Sequence, residues 1–206
     1  MATIPNRPEL EDQMAAAILL LFGQDYRGLL NGERFDARDS AERLAPQLVE
    51  PLVQGYLAAS RRVPTPPGTR PDLMEPLNDR ARRWANRYSR QLSRELATTT
   101  SDRIRGLDPD AEGFDERLAD TLGSDRAAVI GITETTRAYS AGQFGAAAEI
   151  EKQTGVTLVC RWWTRRDDRV CPVCEPLDGT SRRVWGRRFP NGPPAHPICR
   201  CGMRWS

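Results

Sequence analysis

The chain has 206 residues, of which 39% are hydrophobic and 28% are charged, and its formal net charge is +2. This length and composition allow a sizeable hydrophobic core and exclude a fully disordered chain. The longest apolar run, residues 14–22, is shorter than the roughly 20 residues of a membrane-spanning helix and follows acidic residues, unlike a secretory signal. We therefore expect a protein that is made in the cytoplasm and has no membrane partner.

Two helices are predicted in the N-terminal part of the chain. Apolar residues at helical spacing behind an acidic start predict the first over residues 9–30. Leucines four residues apart predict the second over about residues 40–62, where Pro46 and Pro51 should restart or kink the helix. The proline- and glycine-rich stretch at residues 63–71 predicts an exposed loop or linker.

The strongest helical pattern covers residues 72–105, with Asp72 as its expected N-cap. Its apolar residues fall on one side and predict a packing face, whereas its arginines fall on the opposite side. We interpret these arginines as a solvated face, with contact to phosphate groups as the alternative. They are Arg80, Arg83, Arg87, Arg90 and Arg94.

Two further helices are predicted before the pattern changes. Residues 108–110 supply a cap, a first-turn proline and a first-turn acid for a short helix to about residue 122. A long helix follows over residues 124–153, where many alanines and glycines allow the close approach of other helices, and Gly155 ends it. Residues 1–155 are therefore predicted to form a helical body.

The last part of the chain has a different pattern. Residues 156–164 are mostly β-branched or aromatic, which predicts a strand in which Cys160 is a buried free thiol. A turn at Asp178-Gly179 and a second predicted strand over residues 182–188 add a β-hairpin. The sequence thus predicts an α+β protein, in which a mainly helical body precedes a small β-rich, zinc-binding module over residues 156–206.

The metal prediction rests on four of the five cysteines. They form two close pairs, Cys171 with Cys174 and Cys199 with Cys201, and the only histidine, His196, precedes the second pair. Zinc prefers four soft or borderline ligands in a tetrahedron, and two short ligand pairs separated by a loop can converge on one ion. The sequence therefore predicts a structural Zn²⁺ site.

Two ligand sets remain open. Cys199 and Cys201 lie two apart on an extended segment and face the same side, which favours four thiolates with His196 outside the site. The set that we favour combines Cys171 and Cys174 with His196 and one of the final two cysteines. Other uses of the thiols are a redox pair, which needs a βαβ setting, disulfides, which need an export signal, and an iron–sulfur cluster.

The C-terminal module is also the basic part of the chain. Residues 156–206 contain ten arginines and four acidic residues, which permits contact with nucleic acid. A zinc-ribbon DNA-binding regulator and an HNH-like nuclease are therefore alternative functions. The nuclease needs a general-base histidine besides its metal ligands, and His196 is the only histidine. Its candidate carboxylates are Asp167, Asp168 and Asp178, of which the first two are more typical of a turn.

A family resemblance is carried by the cysteine segment and the helix before it. Four stretches of the C-terminal part resemble the C-terminal signature of tailed-phage head morphogenesis proteins, the Mu F-like minor capsid proteins. They are the segment from Trp163 to Cys174, Leu177-Asp-Gly179, Phe189-Pro, and Pro193-Pro-Ala-His196-Pro-Ile-Cys199-Arg-Cys201. Thr133-Glu134-Thr135 resembles the Thr-Glu-Thr segment of the same family. The resemblance covers about residues 115–203, and the first 110 residues match no motif.

The resemblance implies a structural, low-copy protein of the phage head with no enzymatic activity. It implies association with the portal or the capsid protein during head assembly, DNA packaging or DNA delivery. The location expected from it is the virion head, and the host cytoplasm during assembly. The arginine-rich module would add a contact with packaged DNA.

Overall fold

The structure is a computed structural model that describes residues 6–69, 71–166 and 170–206. Most of these residues are helical, as predicted. The larger helices are α1 (Arg7–Leu30), α2 (Ala37–Ser60), α3 (Met74–Arg105), α4 (Phe114–Leu122) and α5 (Ser124–Thr154).

Local capping explains where the first two helices begin. The Asn6 side chain accepts a hydrogen bond from the backbone N–H of Glu9, and the Glu9 carboxylate accepts one from the backbone N–H of Asn6. Asp36 caps α2 through the backbone N–H groups of Arg38 and Asp39. These short polar residues satisfy the free N–H groups of the first turn.

The prediction that α2 restarts at its prolines is wrong. The helix runs uninterrupted from Ala37 to Ser60 with Pro46 and Pro51 inside it. Each proline removes one backbone N–H donor, but α2 lies against α1, α3 and α5 and buries Leu44, Leu48 and Leu52 among them. This burial outweighs the local cost of the prolines.

Two predicted helix starts are also wrong. The N-cap position of α3 is Leu73, without a side-chain cap, and not Asp72. The Asp108 side chain accepts from the backbone N–H of Asp110 in a turn, so it does not cap a helix. The short helix α4 begins only at Phe114, after Gly113 has reversed the chain at a φ of 75°.

The small residues of α5 permit a close helix crossing, as the sequence indicates. A Cβ atom added at Gly142 would lie 2.0 Å from the carbonyl oxygen of Tyr56 in α2, and one added at Gly131 would lie 2.7 Å from that of Glu11 in α1. The helices enclose one large core of mainly aliphatic side chains, among them Ile18, Leu48, Leu52, Leu118 and Ile150. Helix α5 is thereby held against both N-terminal helices.

The C-terminal part contains less β-structure than predicted. Strand β1 (Cys160–Trp163) pairs antiparallel with β2 (Gly202–Trp205), and these are the only strands among the described residues. The predicted strand at residues 182–188 is instead a short helix, α6 (Arg182–Trp185). The module is therefore not β-rich, and the predicted hairpin is wrong. The strand that pairs with β1 is residues 202–205, whereas residues 179–181 contribute one isolated bridge, Arg161 with Ser181, before the chain turns into α6.

A second hydrophobic core lies under this sheet. Trp162 and Trp185 are completely buried there, with ring centroids 5.5 Å apart, beside four cysteine side chains and Met203. Phe144 of α5 packs against this core, and Trp205 contacts both cores. The division into residues 1–155 and 156–206 stays a prediction.

Candidate metal centre

The first pair of predicted ligands lies in a tight turn. The backbone N–H groups of Cys174 and Glu175 both donate to the carbonyl oxygen of Cys171, at 3.0 Å each. A 3₁₀ turn, Glu175–Leu177, follows directly. The turn places the Cys171 and Cys174 side chains within reach of one partner, His196.

The second group of predicted ligands lies just before β2. The backbone N–H of Cys199 donates to the carbonyl oxygen of His196 at 3.2 Å, which closes a turn in which Ile198 has a φ of 56°. Cys201 immediately precedes β2. Because β2 pairs with β1, the sheet holds this group at a defined position relative to the rest of the module.

All five predicted ligands converge. The ligand atoms form two groups that share Cys174: one contains Cys171, Cys174 and His196, and the other contains Cys174, Cys199 and Cys201. Within each group all ligand atoms lie within 4.8 Å of one another. The arrangement could hold a metal ion.

Two of three distances between ligand atoms match those around a tetrahedral ion. Zn–S bonds of about 2.3 Å and Zn–N bonds of about 2.0 Å imply S···S separations of about 3.8 Å and S···N separations of about 3.5 Å. The Sγ atoms of Cys174 and Cys199 are 3.8 Å apart, and the Sγ of Cys174 is 3.5 Å from Nε2 of His196. The Sγ of Cys171 is closer to the same Nε2, at 2.9 Å.

A hydrogen bond on the far side of the imidazole orients the ring of His196. Nδ1 of His196 lies 2.7 Å from the carbonyl oxygen of Pro197, and a carbonyl oxygen can only accept. Nδ1 therefore donates this hydrogen bond, and Nε2 faces Cys171 and Cys174. A metal-binding histidine is commonly oriented by a hydrogen bond of this kind.

The three cysteines of the second group are buried and share hydrogen bonds. Hydrogen bonds from the thiols of Cys174 and Cys201 hold the pKa of Cys199 far below its usual value. The same contacts, first of all the one with Cys199, raise the pKa of Cys174. Binding of a metal ion by these sulfur atoms would release protons from the thiols.

Two threonines of α5 bind the backbone of the second ligand group. The hydroxyl of Thr136 donates to the carbonyl oxygen of Cys199 at 2.7 Å, and Oγ1 of Thr133 accepts from the backbone N–H of Ile198 at 3.0 Å. The resemblance includes Thr133, but the sequence reasoning missed this contact and Thr136 altogether. Their spacing of three residues on one helix face is the signal that would have indicated a shared partner.

Helix α1 also reaches the ligand segment. The carboxylate of Glu11, which is only 8% exposed, binds Arg200 at 3.2 Å and Arg7 at 2.8 Å. Arg7 in turn donates to the hydroxyl of Thr136 at 2.6 Å. Sequence reasoning used Glu11 only as an acidic residue ahead of an apolar run, since a contact spanning 189 positions leaves no local pattern.

Glu134 points away from the cysteines. Its buried carboxylate accepts from the hydroxyl of Tyr88 in α3 at 2.6 Å and from Nε of Arg137 at 3.0 Å. Burial raises the pKa of Glu134, against the lowering effect of Arg137 and Tyr88. The Thr-Glu-Thr segment thus contacts the ligand segment through Thr133 and α3 through Glu134.

The remaining candidates lie outside both ligand groups. Cys160 is buried, as predicted, and burial raises its pKa to about 12. Asp178 accepts from the backbone N–H of Thr164 at 2.8 Å and pairs with Arg166 at 2.9 Å, and these hydrogen bonds lower the pKa of its carboxyl group. It therefore stabilises a turn. Asp167 and Asp168 lie outside the described residues.

Comparison with known proteins identifies the family. The family model described as phage Mu protein F like protein matches residues 81–204, more than half of the chain. The chain belongs to this family. The match confirms the resemblance and extends it back into α3, beyond the residues that carried it in the sequence. No curated protein and no solved structure matches the chain.

Family membership supports a structural protein related to the phage head. The location that it implies is the virion head. Among the described residues, none of the helices combines the length and the apolar character that crossing a membrane requires.

Proposed function

We propose that this protein is a minor structural component of the phage head that acts in head assembly, DNA packaging or DNA delivery. The observation that supports this proposal is the family match over residues 81–204, which includes both the cysteine cluster and the helix that binds it. The same membership supports the portal or the capsid protein as partner. The protein would be present in the host cytoplasm during assembly and in the virion head afterwards.

We further propose that the cysteine cluster binds Zn²⁺. Thiolate and imidazole ligands select zinc over magnesium or calcium, which prefer oxygen. Cys174 belongs to both ligand groups, and Nε2 of His196 faces Cys171 and Cys174, which supports these three residues as ligands. The fourth ligand in this proposal is Cys199 or Cys201.

A structural role for this ion is supported by the number of protein side chains that could bind it. A catalytic zinc site keeps one position open for water, whereas five protein ligands are available here to close the shell. The ion would join two turns that share a small core, and metal binding stabilises such small modules directly. A nuclease would need a second histidine, which the chain lacks.

Contact with packaged DNA is supported by the exposed face of the two-stranded sheet. Arg161 and Arg204 lie directly opposite each other in the β1–β2 register, and the guanidinium of Arg204 lies 5.4 Å above the ring of Trp163. Like charges in opposite positions destabilise a sheet unless an anion lies between them. A phosphate group is such an anion.

The test of the head function is mass spectrometry of purified virions and procapsids. The protein is expected in both, at fewer copies than the major capsid protein. Its consistent absence from both particles would contradict the proposal. A regulator, the alternative, would instead be found only in infected cells and would bind duplex DNA with sequence preference.

A further inference from the structure

A groove of about 990 Å³ lies between α3 and α5 and reaches residues of the C-terminal module. This volume is at the upper end of the roughly 300–1,000 Å³ typical of ligand pockets. Five arginines line the groove, which we call the α3–α5 groove: Arg80, Arg83, Arg87, Arg137 and Arg182. It is large enough for a peptide segment, and its charge favours an anionic one.

The aromatic rings in the α3–α5 groove contact one another and arginine side chains. Trp84 stacks on Tyr88 with ring centroids 5.2 Å apart, and Tyr56 lies 5.7 Å from Trp84 on a tilted plane. The guanidinium of Arg137 lies 5.7 Å above the Tyr88 ring. Single-stranded nucleic acid binds through bases stacked on free rings, and these rings already use part of their faces for contacts within the protein.

The arginines of the groove differ in what they already bind. Arg137 and Arg80 pair with the buried carboxylates of Glu134 and Glu149. By contrast, Arg83 lies 3.8 Å from an exposed aspartate, and Arg87 has no ion-pair partner in the described part of the chain. The exposed side chains of Arg83 and Arg87 are therefore available to a ligand.

The groove also contains an exposed carboxylate, Glu95. It lies two helical turns beyond Arg87 on α3, so the groove presents two cations followed by one anion. The complementary ligand carries two neighbouring anions and one cation. A phosphate backbone has no cation and would be repelled at Glu95.

One segment of this chain has that charge pattern. Residues 108–120 contain six acidic residues and a single arginine, Arg117, which follows Asp115 and Glu116 directly. All seven charged side chains are exposed, and none forms an ion pair within residues 6–69, 71–166 and 170–206. We call residues 108–120 the acidic segment.

The acidic segment cannot occupy the groove of its own chain. The acidic segment follows the C-terminal end of α3, and Arg87 is 18 residues before that end. At about 1.5 Å per residue, Arg87 and the start of the acidic segment are roughly 27 Å apart along the helix. Helix α4 is moreover held against α1, α3 and α5. The two surfaces are thus separated and rigidly oriented, and can meet only between molecules.

We propose that the α3–α5 groove of one copy of this chain binds the acidic segment of a second copy. Asp115 and Glu116 of one copy pair with Arg83 and Arg87 of the other, and Arg117 pairs with Glu95. The contact joins two different surfaces, so a dimer still has one unoccupied groove and one unoccupied acidic segment. Contacts of this kind form rings where the rotation closes and open chains where it does not.

Sedimentation velocity of the full chain tests the proposal with two charge-reversed variants. The groove variant carries Arg83→Glu with Arg87→Glu, and the segment variant carries Asp115→Arg with Glu116→Arg. The wild type is expected to associate at about 0.05 M salt and to dissociate at about 1 M, where charges act over only about 3 Å. Each variant alone is expected to stay monomeric, with at least a roughly tenfold weaker self-association.

An equimolar mixture of the two variants gives the decisive result. The intact groove of one variant can bind the intact acidic segment of the other, so the mixture is expected to form a 1:1 dimer and nothing larger. The matched control, Arg90→Glu with Arg94→Glu, reverses the same charges on α3 outside the groove and should associate like the wild type. Circular dichroism verifies that each variant is folded.

Three results would overturn the proposal. The first is a wild type that stays monomeric at low salt, and the second is a mixture that forms no dimer although both variants are folded. The third is a wild type that remains monomeric but binds a fluorescent DNA oligonucleotide, together with a groove variant that does not bind it. That result would make the groove a nucleic-acid site. None of these results bears on whether the protein is found in virions, so this inference and the proposed function fail separately.

Discussion

The helical body and the cysteine module are stabilised in different ways. The body buries a large set of aliphatic side chains between five helices, whereas the core of the module consists of two tryptophans, a methionine and four cysteines. A helical core of that size contributes enough apolar burial to fold. A segment of about fifty residues with so few aliphatic side chains depends on additional links, which are the proposed metal and the contacts with α5 and α1.

The largest expected effect comes from breaking the proposed metal site. Cys174→Ser removes the residue common to both ligand groups, and we expect loss of bound zinc and unfolding of the module while the helices of the body persist. Structural zinc binding is worth about 10–16 kcal/mol in small peptides. Elemental analysis reports the zinc, and circular dichroism with tryptophan fluorescence separates body from module. Cys160→Ser is the control and is expected to leave the zinc content unchanged.

The same measurements distinguish the two ligand sets. If His196→Ala loses zinc and Cys201→Ser retains it, the imidazole is a ligand and Cys199 is the fourth. The reverse result supports four thiolates. Less than about half an equivalent of zinc in the wild type would contradict the metal site itself.

The next largest effect is expected in the body. Gly142→Ala places a Cβ atom 2.0 Å from the backbone carbonyl oxygen of Tyr56, so α2 and α5 must separate. Overpacking of this kind costs about 3 kcal/mol, and the free energy of unfolding in urea measures it. The control Gly202→Ala adds a Cβ that meets nothing within 4 Å. An unchanged midpoint for Gly142→Ala would show that this crossing is not tightly packed.

A smaller effect is expected where body and module meet. Thr136→Val preserves the shape of the side chain but leaves the buried carbonyl of Cys199 without its hydroxyl donor. Removing a hydrogen bond beside a metal ligand typically lowers metal affinity about tenfold, which competition with a chromophoric chelator detects. Thr98→Val, at an exposed position of α3, is the control. Equal affinity in both variants would make the contact with α5 irrelevant to the metal.

The smallest effect is a pH dependence within the body. Burial raises the pKa of Glu134 in the folded state above its usual value of 4.5. The protonated form is therefore favoured by folding, and its stabilising contribution is complete below pH 4.5 and is lost as the pH rises through the folded pKa. Glu134→Gln keeps an oxygen acceptor for the Tyr88 hydroxyl, and because an amide does not ionise, this variant does not lose stability as the pH rises. The unfolding free energy of this variant relative to the wild type should rise with pH above 4.5, which urea denaturation at a series of pH values measures.

Much of the helical architecture was predictable because helices are encoded locally. The apolar spacing placed α1, α3 and α5 within a few residues of their observed ends. Errors occurred where distant contacts override local preference. The prolines of α2 are tolerated because their helix is buried on several sides. The strand that pairs with β1 is residues 202–205, far along the chain, whereas the nearer segment contributes one bridge at Ser181 and then forms α6.

The sequence by itself determined the family and the set of five candidate ligands, because thiol and imidazole groups at short spacing are rare and chemically specific. Only the tertiary structure decided how these ligands are held. Thr136 and Glu11 reach the ligand segment from helices that are far away along the chain, and Arg7 binds both of them; no local pattern marks such contacts. The same holds for the α3–α5 groove, whose arginines come from three separate segments and become one surface only when the helices pack.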